Sequence, residues 1–121
     1  MFKKVAFTMY PVQNMERARR FYEKTLGLTT GSVTANGAWV EYDLPGGGCL
    51  AITTLLENLK PSHDSGGKIA FEVENLDLLV EQLKAAEVQF KVDVCSSPVC
   101  KMAVILDSEG NGLILHQITK K

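Results

Sequence analysis

The sequence has no long apolar run, no excess of charge of one sign and only three cysteines among its 121 residues. The net charge is −1, and the basic residues are spread along the chain apart from a group at Arg17, Arg19 and Arg20. Binding to nucleic acid needs a concentrated positive surface that neutralises phosphates, and the sequence predicts none. The apolar stretch after residues 1–4 is stopped by Pro11, so it is too short for a signal peptide. We therefore expect a cytoplasmic protein that binds neither nucleic acid nor a membrane.

The three cysteines, Cys49, Cys95 and Cys100, include no C-x-x-C pair, and such a set favours reduced thiols in a cytoplasmic protein. A Cys95–Cys100 disulfide is the open alternative, because both residues flank a short loop that holds Pro98. Lys101 would lower the pKa of the adjacent Cys100 thiol, but we expect no histidine to complete a nucleophilic pair with it. The sequence therefore predicts no catalytic residue.

One junction occurs twice, at Asn14 and again 61 residues later at Asn75. Each asparagine follows an apolar-alternating stretch and precedes an apolar residue that begins a stripe with helical spacing. This is the position of a helix N-cap, whose side-chain oxygen accepts an otherwise unpaired backbone N–H. A strand-to-helix junction repeated at about half the chain length predicts a duplicated unit.

Each half is predicted to fold as a strand, a helix and three further strands. Module one spans residues 4–56, with a helix ended by Gly27 and a hairpin turn at Asn36-Gly37, where both residues tolerate positive φ. Module two spans residues 68–118, and a polar linker separates the modules. Neither module can bury both faces of its sheet alone, so we expect one α+β domain over residues 1–121.

Two segments resemble a known family. Residues 14–28, NMERARRFYEKTLGL, are similar to the first helix of the vicinal oxygen chelate superfamily, which includes glyoxalase I, extradiol dioxygenases and bleomycin-resistance proteins. Residues 107–111, DSEGN, resemble the Asp-Pro-Asp-Gly-Asn turn before that family's last strand, with Ser108 in place of the proline. The resemblance implies two tandem βαβββ modules that form a cup-shaped mixed sheet with helices on its outer face. The superfamily contains metal enzymes and metal-free binding proteins, so the fold alone does not give the function.

The family's enzymes hold a divalent metal with His, Gln or Glu side chains on four strands. The resemblance places Phe7, Lys68 and Ile114 at three of these positions, and the fourth falls at Ile52 or Thr53. Phenylalanine and isoleucine have no lone pair to give, and a lysine ammonium repels a cation. The resemblance therefore implies that the usual metal site is absent, and we expect neither a metal nor a cofactor.

Strand alternation divides each strand into a face toward the helices and a face toward the cup. The side chains assigned to the cup are Phe7, Met9, Trp39, Glu41, Ile52, Lys68, Glu72, Ile114 and His116. An apolar, aromatic surface with a few charges suits a small organic ligand. Ordinary structural roles remain open as alternatives, because Lys68 can reach solvent, Trp39 can pack in the core or a dimer, and His116 can be a structural histidine.

Two functions are consistent with these residues. The first is a small-molecule-binding protein of the bleomycin-resistance type, without the usual metal ligands and forming a homodimer. The second is a divergent metal-dependent lyase, isomerase or dioxygenase in which Glu41, Glu72 and His116 have taken over coordination. A weaker third hypothesis is metal-free acid–base catalysis by Lys68 and Glu72, which are roughly 13 Å apart along one strand.

Overall fold

The structure is a computed structural model that describes residues 1–119 and divides into two compact units. The first unit is Met1–Pro61 and the second begins at Ser62. Within the described residues, no helix is long and apolar enough to cross a membrane. Each unit contains one α-helix and a four-stranded mixed sheet.

The first unit begins its regular structure with a strand that leads into a helix. Its strands are β1 (Thr8–Pro11), β2 (Thr30–Thr34), β3 (Trp39–Asp43) and β4 (Cys49–Thr53). Helix α1 (Met15–Arg20) continues directly into a π-helical turn at Phe21–Thr25. The sheet order is β1-β4-β3-β2, in which β1 and β4 are parallel and the other pairs are antiparallel.

The second unit repeats this arrangement. Its elements are β5 (Ala70–Glu72), α2 (Leu76–Ala85), β6 (Phe90–Ser96), β7 (Cys100–Leu106) and β8 (Gly112–Ile118). The sheet order is β5-β8-β7-β6, again with one parallel pair, β5 with β8. The predicted α+β class and the two tandem βαβββ modules are confirmed.

Both helices begin where the repeated junction predicts. Asn14 Oδ1 accepts a hydrogen bond from the Arg17 backbone N–H at 2.9 Å, and Asn75 Oδ1 accepts one from Leu78 at 3.1 Å. These bonds satisfy backbone donors that have no partner within the helix. Gly27 has a φ of 76°, so it adopts the left-handed conformation expected just after the first helical segment.

Some boundaries differ from those that the sequence predicts. The first strand begins at Thr8 instead of residue 4, because its partner β4 begins only at Cys49, after Gly48 with a φ of 91°. The turn between β2 and β3 is a short 3₁₀ segment, Ala35–Gly37, and not a two-residue hairpin turn. The short loop between Cys95 and Cys100 is limited to residues 97–99, because β6 extends to Ser96 and β7 begins at Cys100.

The core of each unit lies on the apolar face of its sheet. In the first unit, the fully buried side chains include Tyr22 from the π-helical turn together with Val40, Tyr42, Leu50 and Ile52 from the sheet. In the second unit they include Leu76, Leu83, Ile105 and Leu113. Each such large apolar side chain contributes about 1.5–3 kcal/mol when fully buried. In β3, the fully buried Val40 and Tyr42 alternate with Trp39 and Glu41, as expected for the two faces of one strand.

Candidate functional site

Five of the residues predicted to bind a ligand belong to the first unit, and most of these five lie on the other face of its sheet. Met9 lies opposite Ala51 in the parallel pair, and Glu41 lies opposite Ala51 in the antiparallel pair. Directly opposite residues project from the same face, so these side chains form one row across three strands. Trp39, two residues before Glu41 in β3, shares this face.

Trp39 is fixed by contacts on two sides. Its ring makes an edge-to-face contact with Phe7, with centroids 5.2 Å apart and planes at 88°. Its indole Nε1 donates a hydrogen bond to Glu41 Oε2 at 2.7 Å. Trp39 and Glu41 are half-buried, whereas Phe7 is 44% exposed. The structure therefore brings together Phe7, Met9, Trp39 and Glu41 in an aromatic and acidic surface, which we call the Trp39 surface.

The assignment of Ile52 to this surface is wrong. Ile52 lies opposite Val40, so its side chain projects from the helix side of the sheet, where it is fully buried. The neighbouring Thr53 lies opposite Trp39 instead. Alternation could not decide between the two because Leu50, Ala51 and Ile52 are all apolar. Thr53 Oγ1 donates to the Ala38 carbonyl at 2.8 Å, so its hydroxyl supports the turn before β3.

In the second unit, Glu72 and His116 lie side by side on β5 and β8. Glu72 Oε1 is 2.5 Å from His116 Nδ1, and Glu72 Oε2 accepts the Ile118 backbone N–H at 2.7 Å. Strand β5 ends at Glu72. The hydrogen-bond partner of the Ile118 N–H is therefore the Glu72 carboxylate instead of the backbone of a further residue of β5. Ile114 lies two residues before His116, opposite Ala70, and shares this face. The predicted Lys68–Glu72 acid–base pair is not favoured, because Glu72 already engages His116 and Ile118.

Lys68 lies just before β5, with its side chain close to Gly112. A methyl group added at Gly112 would lie 3.0 Å from Lys68 Cε, so the aliphatic part of the lysine covers this glycine. The side chain is half-buried, which is typical of a lysine whose stem packs while its ammonium reaches water. This contact favours the structural role that the sequence left open for Lys68.

The contacts of Glu72 and His116 change the acidity of both groups. The Ile118 N–H and the His116 ring hold the pKa of Glu72 below its usual value. The hydrogen bond with Glu72 raises the pKa of His116, and the neighbouring Cys100 adds to this. Glu72 therefore favours the imidazolium form of His116 and fixes the orientation of its ring.

Cys100 also lies in this region, although the sequence did not assign it to the ligand-binding residues. Met102 lies opposite His116, and Cys100 lies opposite Ile118, so Cys100 and His116 are diagonal neighbours on one face of the β7–β8 hairpin. The expectation that no histidine pairs with Cys100 is therefore wrong. The available signal was the DSEGN turn at residues 107–111, which makes β7 and β8 an antiparallel pair and brings residues near 100 and 116 together.

The residues at the family's metal positions do not suit a metal ion. Phe7 and Ile114 offer no donor atom, and Lys68 offers an ammonium group. Among residues 1–119, no group of three or more His, Cys, Asp or Glu side chains is placed to hold a metal ion. Glu72 and His116 contact each other, but the described residues supply no third ligand of these types for the relocated site that the second hypothesis requires.

Comparisons with known proteins identify the family. The chain resembles the antibiotic-binding protein TnmS3 from Streptomyces sp. CB03234, with a TM-score of 0.82 and 18% identity over 98% of both chains. A superfamily member from Sphaerobacter thermophilus DSM 20745 also has a TM-score of 0.82, with 22% identity over 96% of this chain and 98% of that one. No curated protein matches the chain. Because residues 4–115 match the family model, the chain belongs to the Glyoxalase/Bleomycin resistance protein/Dioxygenase superfamily.

Proposed function

We propose that this protein is a small-molecule-binding member of its superfamily that works without the usual metal ligands. The observation that carries the proposal is the identity of the residues at the family's metal positions, Phe7, Lys68 and Ile114. A metal-dependent reaction needs donor atoms there, and these side chains supply none. The resemblance to TnmS3, described as an antibiotic-binding protein, supports a small organic molecule as the ligand. The proposal includes a cytoplasmic homodimer.

The Trp39 surface suits a flat aromatic ligand that carries positive charge. The Phe7 and Trp39 rings are already held at a fixed angle, so little side-chain freedom is lost when a ligand packs against them. Glu41 contributes a carboxylate next to the indole. An aromatic cation can therefore combine ring contacts with attraction to Glu41. Lys68, Glu72, Ile114 and His116 remain predicted ligand contacts from the second unit.

Trp39 is the only tryptophan, so its fluorescence reports binding at this surface directly. Titration with proflavine, a flat aromatic cation, is expected to quench this fluorescence with saturation. Glu41→Gln keeps a hydrogen-bond acceptor for the indole but removes the charge, and it should weaken proflavine binding by about fivefold or more. Glu57→Gln, at an exposed residue outside the sheet, is the matched control and should leave the affinity unchanged. Unsaturable quenching, or equal affinities for the two variants, would contradict the proposed surface.

Native mass spectrometry of protein purified from its own host tests the function without choosing a ligand. The expected result is a dimer that carries a small organic molecule and no stoichiometric divalent metal. Tightly bound divalent metal that resists dialysis would refute the proposal and favour the divergent metal enzyme. In that case, His116→Ala should remove both the metal and turnover.

A further inference from the structure

Four side chains of the second unit, those of Glu72, His116, Cys100 and Ser97, form a row that includes a thiol. Glu72 Oε1 holds His116 Nδ1 at 2.5 Å, which leaves Nε2 as the ring nitrogen available to Cys100. Cys100 and His116 are diagonal neighbours on one face of β7 and β8, so the thiol and the imidazole ring lie within reach of each other. On the other side, Ser97 Oγ lies 3.3 Å from Cys100 Sγ. A nucleophile, a base and a carboxylate that orients the base are the components of an activated cysteine.

Ser97 is positioned to stabilise a negative charge on the sulfur. Its Oγ accepts the backbone N–H groups of Val99 at 3.3 Å and of Cys100 at 3.2 Å. Both bonds use the lone pairs of the oxygen, so the hydroxyl proton is left to donate to Cys100 Sγ or to the Cys100 carbonyl at 3.5 Å. Donation to the sulfur becomes the stronger bond once the thiol has lost its proton.

We propose that Cys100 is a nucleophile, activated by His116, that forms a covalent bond with the electrophilic carbon of small α,β-unsaturated carbonyl compounds. The thiol is half-buried, and the histidine side chain is 32% exposed, so a small molecule can reach both groups. Two exposed apolar residues flank Cys100. Val99 precedes it in sequence and is 51% exposed, and Ile118 lies opposite it on β8 and is 47% exposed. This chemistry is independent of ligand binding at the Trp39 surface.

The reaction is a conjugate addition in which nothing leaves and no oxidant is needed. His116 takes the thiol proton, and a lone pair of the Cys100 sulfur forms a bond to the β-carbon of the electrophile. The π electrons of the C=C bond move toward the carbonyl as an enolate, and the imidazolium of His116 returns the proton to the α-carbon. The product is a thioether, and the imidazole is neutral again.

The local backbone explains why an acyl-transfer reaction is not favoured. A tetrahedral oxyanion needs N–H donors directed at the reacting centre. The N–H groups of Val99 and Cys100 both donate to Ser97 Oγ instead, and the Ser97 N–H donates to the Cys100 carbonyl at 2.8 Å. Conjugate addition spreads the negative charge over an enolate, so it depends less on such donors.

The surrounding charges support a reactive thiolate. The hydrogen bond from Ser97 lowers the pKa of Cys100, and the neighbouring His116 lowers it further, against the opposing effects of burial and of the Glu72 charge. Strand β6 contributes one titratable group, the Cys95 thiol, to the face that carries Cys100 and His116. Cys95 is on this face because it lies opposite Met102, which itself lies opposite His116. Lys101 projects to the other side of the sheet, where it forms an ion pair with Asp77 of α2 at 2.7 Å.

The matched control for Cys100 is Cys95, which is more exposed and shares the same face. Its thiol lies 3.6 Å from the Met102 carbonyl oxygen. Wild-type protein is treated with limiting N-ethylmaleimide at several pH values, and peptide mass spectrometry measures modification at each cysteine. We expect Cys100 to react about tenfold faster than Cys95 at pH 6.5, with the ratio falling as the pH approaches 9. Identical pH profiles for the two thiols would overturn the proposal.

Variants separate activation from simple accessibility. His116→Gln and Glu72→Gln should each slow the Cys100 reaction at pH 6.5 by about tenfold and move its pH profile toward that of Cys95. Cys95→Ala should leave the Cys100 rate unchanged, and in urea all three thiols should react alike. If both the His116 and Glu72 variants are folded by circular dichroism and keep the wild-type Cys100 profile, the triad has no activating role.

Discussion

At the scale of single residues, the turn before β8 depends on Asp107. The carboxylate is 6% exposed, and its Oδ1 accepts the backbone N–H groups of Glu109 and Asn111, each at 2.8 Å. Its Oδ2 accepts the Asn111 side-chain amide at 3.0 Å. Asp107→Ala should therefore lower the free energy of unfolding by about 2–4 kcal/mol, because it leaves buried donors without an acceptor. Urea denaturation followed by far-UV circular dichroism measures this change.

The DSEGN turn, which the family resemblance identified, also makes a contact outside β8. Asn111 Oδ1 accepts the Ser62 N–H at 3.2 Å, so the turn anchors the start of the second unit as well as β8.

Glu81→Ala, at an exposed position of α2, is the control for the Asp107 variant and should change stability by about 0.5 kcal/mol or less. A comparable loss in the two variants would show that the Asp107 contacts add nothing specific.

At the scale of elements, a polar contact joins the π-helical turn to β3. Glu23 Oε2 accepts Arg19 Nε at 2.7 Å and the hydroxyl of the buried Tyr42 at 2.9 Å. Burial opposes ionisation of Glu23, but the hydrogen bonds from Arg19 and Tyr42 prevail and keep its pKa below the usual value. Burial and the adjacent carboxylate raise the pKa of Tyr42. The contact between the π-helical turn and β3 is therefore strongest when Glu23 is ionised and Tyr42 is neutral.

The Glu23 contact predicts a pH-dependent stability. The pKa of Glu23 is lower in the folded state than its ordinary value of 4.5, which applies in the unfolded state. The ionised carboxylate therefore stabilises the fold fully at pH values above 4.5, and this stabilisation is lost as the pH falls through the folded-state pKa. Glu23→Gln should therefore cost about 1–3 kcal/mol at pH 7 and progressively less below pH 4.5. Glu16→Gln is the matched control, because the Glu16–Arg20 pair on the same helix is 3.3 Å long and exposed. Equal effects of both substitutions in urea at pH 7 would refute the prediction.

The sequence predicts elements better than it predicts which of them meet. Asn14 and Asn75 gave both helix starts, because an N-cap is a local hydrogen bond. Alternation assigned the faces of β3 correctly, yet it failed at Ile52, where three consecutive apolar residues carry no alternation. The Cys100–His116 contact depends on the register of β7 with β8, and register is set by turn geometry and packing instead of by residue type.

At the scale of the whole molecule, the two units share a topology while their open sheet faces have diverged. Strand register makes Ala51 of the first unit equivalent to Ile114 of the second, because Met9 and Ala70 are their partners in the parallel pairs. The Glu72–His116 pair accordingly corresponds to Pro11 and Thr53. The sequence offset is therefore 61 residues at the helices and 63 at the last strand of each unit, so the repeat includes a two-residue shift.

The predicted single domain of residues 1–121 can be tested by destabilising one unit and observing the other. A unit of about 60 residues buries only about 60% of its unfolded surface and is marginally stable alone, so we expect both units to unfold in one transition. Asp107→Ala lies in the second unit, and Trp39 fluorescence reports the first. In urea, this substitution should lower the Trp39 midpoint as much as the circular dichroism midpoint. Glu23→Gln, within the first unit, shows the size of a direct effect on Trp39. An unchanged Trp39 midpoint in the Asp107 variant would instead show two independently folding units.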